Sequence, residues 1–199
     1  MSDEITERII TRCLYIKTPI TLSNKSDDGS FSILTQGLNL TQSNNIMLGI
    51  CMQEYMTNYV VEVNVDGWEY IHLKNERGEK ECDILFINKN RMIIIYCEAK
   101  NNINLDTEKL RATEDKINHN IKKIRSENPD YDVYGYLLAC RYLDKDEEIA
   151  KHLISKYKNV NVIGINNYLK LFNITDLIKD YDNYKKIIRL ICKTKFKIS

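Results

Sequence analysis

Apolar residues recur along the chain in two rhythms, a helical period of about 3.6 residues and a strand period of two. Ile5, Ile9, Ile10, Cys13 and Leu14 keep the helical spacing and predict a short amphipathic helix from residue 3 to about 17. The polar stretch Ser23–Ser30, with Asp28-Gly29 as a turn, reads as a mobile loop. Leu48, Met52, Tyr55, Met56 and Tyr59 mark the apolar arc of a second helix, capped by Ser43 or Asn44 and running to about Asn58. Val61, Val63 and Val65 then alternate with Glu62 and Asn64. Asp66-Gly67 offers a tight turn and Trp68-Tyr70-His72 resumes the alternation, so a hairpin is predicted over Tyr59–Lys74. A second pair of strands fills Gly78–Asn102. Leu105 to about Glu127 is a long helix with Leu110, Ile117, Ile121 and Ile124 on its buried side, ending before Pro129. A strand at Tyr131–Cys140, a helix at Asp146–Tyr157 and a strand at Asn159–Ile165 follow, and the remainder is mostly helical. This order predicts an α/β (or α+β) layer fold, a central mixed sheet with helices on its faces.

Composition narrows the class without naming it. The 199 residues suit one domain, with a core at about 43–140, a helix and loop over 1–42 and a helical extension over 141–199. A formal net charge of +1 neither demands nor forbids a polyanionic partner. The six cysteines are scattered, with no CxxC and no neighbouring histidine pair, which argues against a disulfide scaffold and a structural zinc. MSDEITERII carries acids where a signal peptide needs bases. The longest apolar run, Met92–Cys97, is far too short for a bilayer. The expectation is a soluble intracellular protein with no membrane partner.

The chemistry gathers in Gly78–Asn102. Asp83 stands near the start of the first strand, and Glu98-Ala99-Lys100 closes the second. A turn centred on Lys89-Asn90 sets Asn88 opposite Arg91 and Ile87 opposite Met92, hence Asp83 opposite Tyr96 and Glu98 opposite Glu81. Side chains alternate faces, so Glu81, Asp83, Glu98 and Lys100 share one face. Diagonal neighbours with Cα atoms roughly 7–8 Å apart can then bring two carboxylates onto one ion. A slip of one residue would turn Asp83 to the other face. The second Glu-x-Lys, Glu114-Asp115-Lys116, falls inside a helix and carries no weight. At Glu98 the pattern ends a buried strand, where charges are costly unless paired or bound. The bland alternative is a pair of solvated strand-end charges.

An acid-bearing strand, a turn, an apolar strand ending in Glu-x-Lys, a helix before and a helix plus strand after resemble the PD-(D/E)XK nuclease superfamily, over roughly residues 43–140. Cys82 stands where the name-giving pattern has proline. The resemblance implies a restriction-endonuclease-like core and a Mg²⁺-dependent (or Mn²⁺-dependent) endonuclease that hydrolyses phosphodiester bonds in duplex DNA. A restriction- or homing-type enzyme is the first reading. A Holliday junction resolvase and a non-catalytic nucleic-acid- or protein-binding module are the alternatives. The resemblance also implies that Asp83, Glu98 and the Ala99 carbonyl hold the metal, as hard oxygen donors suit Mg²⁺. Lys100 would orient the attacking water or stabilise transition-state charge. Glu54, at the edge of its helix's apolar arc, would complete the site, though it also reads as a solvated helix glutamate. Glu81 is a rival ligand or a strand-entry charge. A homodimer would supply two sites for two strands. None of His72, His119 and His152 reads as catalytic. Lys109, Arg111, Lys116, Lys122, Lys123 and Arg125 read as a solvated helix face. Lys185, Lys186, Arg189 and Lys193 are candidate nucleic-acid contacts, with no acid after Asp182.

Overall fold

Where the rhythms of three-to-four and of two compete after Tyr59, the helix wins. In the computed structural model, which describes residues 5, 6, 8, 9, 42–71, 82–144 and 148–196, helix α1 spans Gln42–Val63. The predicted hairpin over Tyr59–Lys74 therefore does not form. Leu48, Met52, Tyr55, Met56 and Tyr59 are all buried as expected, and Val60, one turn after Met56, lies on the same arc. Val61 is helical and exposed, so its alternation with Val63 has no strand meaning. Asn64 ends the helix at φ 31°, and its Oδ1 accepts from the Trp68 N–H at 2.9 Å. Gly67 follows at φ 71°, a conformation that only glycine adopts without strain. The predicted Ser23–Ser30 loop and the strand end at His72 lie outside the described residues.

The chain divides into two compact units, Met1–Val63 with Thr175–Ser199, and Asn64–Ile174. The described residues of the first are mostly helical. Helix α1 packs on the last helix, Tyr181–Phe196. Tyr184, Ile187, Ile188 and Ile191 are buried there at helical spacing. Thr6 and Tyr55 share a hydroxyl hydrogen bond of 3.1 Å, and Arg8 pairs with Glu62 at 2.8 Å.

The second unit is α/β. Its five strands are β1 (Glu69–Tyr70), β2 (Ile84–Asn88), β3 (Ile93–Lys100), β4 (Asp132–Ala139) and β5 (Asn161–Ile163), in the order β1-β2-β3-β4-β5. The first two pairings are antiparallel and the last two parallel, giving a mixed sheet. Helix α2 (Thr107–Glu127) crosses from β3 to β4, α3 (Glu148–Ile154) from β4 to β5, and α4 (Ile165–Leu171) follows β5. The final helix, Tyr181–Phe196, is α5.

Each face of the sheet has its own core. Leu85, Ile87, Ile94, Tyr96, Val133 and Leu137 pack beneath Ile117 and Ile124 of α2 and Ala150 and Leu153 of α3. On the opposite face, Phe86 meets Phe172, which also contacts Trp68 and Tyr168, with ring centroids 4.9–5.0 Å apart. Gly135 lets α2 approach: a Cβ there would strike the side chain of Ile121. Asp106 caps α2 by accepting from the Lys109 N–H at 2.9 Å, and Asn128 ends it directly before Pro129.

Candidate functional site

The β2–β3 register decides whether the two carboxylates meet. Observed partners are Asn88↔Ile93, Phe86↔Ile95 and Ile84↔Cys97. The predicted two-residue turn at Lys89-Asn90 is replaced by a loop of Lys89 to Met92, and every partner shifts by two positions. A two-residue hairpin turn wants positive φ at its centre, commonly Asn-Gly; Lys89-Asn90 lacks the glycine. Asn88, fully buried, holds the longer loop by accepting from the Arg91 N–H at 2.9 Å and donating to the Asp66 carbonyl at 2.8 Å. Met92 closes the loop at φ 53°. Because the shift is even, facing is preserved. Continued one step past Ile84↔Cys97, the register sets Asp83 opposite Glu98 rather than opposite Tyr96.

Glu98, Lys100 and Asp83 thus share the face covered by α2. Glu98 is fully buried. Its Oε1 pairs with Lys100 Nζ at 2.9 Å. Asp83 Oδ2 accepts from the Ala99 N–H at 2.8 Å. Lys100 instead turns its backbone to β4, where its carbonyl accepts from the Cys140 N–H. Strand alternation therefore aims the Ala99 backbone at the Asp83 side.

A residue the strand motif does not contain completes the cluster. Lys116, from α2, stands 2.6 Å from Glu98 Oε2 and 3.5 Å from Asp83 Oδ1. One turn further, Asn120 donates to the Tyr96 hydroxyl at 3.0 Å, and that hydroxyl donates to Glu98 Oε2 at 3.1 Å. Among the described residues, two carboxylates and two ammonium groups make up the cluster and sum to zero formal charge.

The electrostatics follow from burial. Asp83 is pushed up to about 6 from 3.8, first by desolvation and then by repulsion from Glu98, with Lys116, the Ala99 N–H and Lys100 opposing. Burial pulls the Lys116 ammonium down, but Asp83 and Glu98 more than reverse this and its pKa ends raised. Burial and then Glu98 raise the Tyr96 phenol. Burial likewise pushes the half-buried Cys82 thiol up to about 11. Among the described residues no three His, Cys, Asp or Glu side chains form a group able to hold a metal; the acidic donors here are two.

The remaining expected residues divide. Glu54 is exposed on α1, in the helical unit. Glu81 lies outside the described residues. Lys116 does not belong to a solvated face, contrary to the sequence expectation, because the apolar arc of α2 carries it onto the sheet beside Ile117. Arg125 donates to the Val133 carbonyl at 2.9 Å. On α5, Lys185 pairs with Asp182 at 3.1 Å, whereas Lys186 and Arg189 are exposed. Lys193 is helical, with its side chain outside the described residues. Glu114, set aside with Lys116 as a meaningless repeat, is buried and accepts from the Lys158 and Asn159 N–H groups at 2.7 and 3.0 Å. It anchors the loop that leads into β5. The overlooked signal was polar: Thr113, Lys116 and Asn120 interrupt the buried stripe of α2. Among the described residues no helix is long and apolar enough to cross a membrane. No family model matches the chain, and neither a curated protein nor a solved structure matches it.

Proposed function

We propose that the chain is a Mg²⁺- or Mn²⁺-dependent endonuclease acting on duplex DNA, built on a restriction-endonuclease-like core. The observation that carries this reading is the convergence of Asp83, Glu98 and Lys100 on one face at the ends of adjacent strands, with Glu98 fully buried. A fully buried carboxylate is costly unless a cation compensates it, and Lys100 and Lys116 hold positive charge against Glu98 where a divalent ion would substitute. The donor set fits a hard divalent ion: Asp83, Glu98 and the Ala99 carbonyl would hold it. When bound, such an ion supplies Lewis acidity toward a phosphoryl oxygen and a more acidic water. Lys100, half exposed and fixed against Glu98, is the group to orient that water and to meet developing negative charge. Lys186 and Arg189 offer positive charge for a phosphate backbone.

The test is a cleavage screen on long DNA with Mg²⁺ or Mn²⁺, followed by mapping of the ends. Wild type should cut and Lys100→Ala should lose at least about a hundredfold in rate. Absence of cleavage of any DNA or RNA, together with absence of metal binding, would overturn the reading. The neutrality of the four-charge cluster favours one other reading, a non-catalytic binding module in which the charges serve folding alone. Wild-type protein that binds nucleic acid but no metal would select it.

A further inference from the structure

Lys116 bridges the two carboxylates, its ammonium within ion-pair distance of both Asp83 and Glu98. We propose that its ammonium is the resident counter-ion of the Asp83–Glu98 pair and holds divalent metal out until it swings away, so that the chain gates its own site. This regulation rests on the metal-site reading above. Three features of the geometry support it. First, Lys116 Nζ contacts both carboxylates, at 2.6 Å and 3.5 Å, whereas Lys100 makes its ion pair with Glu98. A cation bridging two acids occupies the charge position of a metal.

Second, Glu98 has a hydrogen-bonded hold that does not pass through Lys116. The chain Asn120 to Tyr96 to Glu98 runs through buried side chains and reaches Glu98 Oε2 independently of the lysine. Third, Lys116 can leave. Its side chain retains 22 % exposure, and its long stem is anchored on α2 rather than on the strands that carry the acids. Net charge gives the consequence. Counted over the described residues, Asp83, Glu98, Lys100 and Lys116 sum to zero, and withdrawing Lys116 makes that sum one unit more negative and more attractive to a dication.

The experiment is Mn²⁺ titration of the full chain without nucleic acid, reading free Mn²⁺ by its electron paramagnetic resonance signal. Wild type, Lys116→Met, Lys116→Arg and the double variant Lys116→Met/Asp83→Asn are compared. Removing the competing charge should tighten Mn²⁺ binding at least about tenfold in Lys116→Met. Lys116→Arg, which keeps the charge, should stay near wild type, and Asp83→Asn should abolish the gain. Equal or weaker binding by a folded Lys116→Met protein overturns the gate. Should circular dichroism show that variant unfolded, Lys116→Gln takes its place under the same criterion. Wild type that binds Mn²⁺ with no gain on substitution removes the gate and leaves the metal site standing. Absence of Mn²⁺ binding in every variant removes both.

Discussion

The Glu98–Lys116 contact should register in stability even without metal, and a double-mutant cycle measures it. The perturbations are Glu98→Gln, which removes charge and keeps shape, Lys116→Met, which keeps the apolar stem, and the two together. Unit charges about 4 Å apart attract by about 4 kcal/mol at an effective dielectric near 20. Desolvation opposes this, since Glu98 is fully buried while the Lys116 side chain keeps 22 % exposure. Loss of one partner from a fully buried pair costs about 3–5 kcal/mol. Here the stranded ammonium groups can turn toward water, so Glu98→Gln should cost about 2–3 kcal/mol, at or below the low end of that range. Lys116→Met leaves Lys100 against Glu98 and should cost about 1–2 kcal/mol, as for a partly screened pair. The double variant should be less destabilised than the sum by about 1–2 kcal/mol, the coupling of directly interacting residues. The assay is urea unfolding near neutral pH with a chelator present. Single effects that add to within about 0.3 kcal/mol would show that the two charges do not stabilise each other and would refute the counter-ion assignment.

Acidity provides a second check. Asp83 binds its proton more tightly in the folded chain, at about 6 against 3.8. The metal-free protein should therefore gain stability as pH falls through that window and lose it as pH rises, by at most about 3 kcal/mol, with Asp83→Asn flattening the slope. An identical slope in the variant, followed by chemical denaturation at each pH, would refute the assignment. Glu114→Ala should destabilise by about 2–3 kcal/mol by stranding the Lys158 and Asn159 N–H groups, and Glu114→Gln by about 1 kcal/mol because an acceptor remains. Thermal melts separate the two, and equal losses would mean that the backbone hydrogen bonds are not what Glu114 contributes.

How much was legible followed from how local each feature is. Strand β3 is encoded by its own residues: an unbroken apolar run followed by Glu-x-Lys admits little else, and the even spacing from Asp83 kept both acids on one face through a turn of the wrong length. The hairpin over Tyr59–Lys74 failed because Val63 belongs both to a helical arc with Val60 and to a strand alternation with Val61 and Val65. Only packing of that arc in the helical unit decides between them, and no local residue reports it. Lys116 was illegible for the same reason in reverse. As one basic residue among several on a helix it resembled solvated charge, and only the docking of α2 across β3 and β4, permitted by Gly135, brings it over the carboxylates. The repeated Glu-x-Lys illustrates the point: the helical copy has no motif meaning, yet its glutamate anchors the loop before β5 and its lysine completes the charge of the strand copy. A motif on one strand names the acids, and the partner that neutralises them is chosen by the tertiary fold.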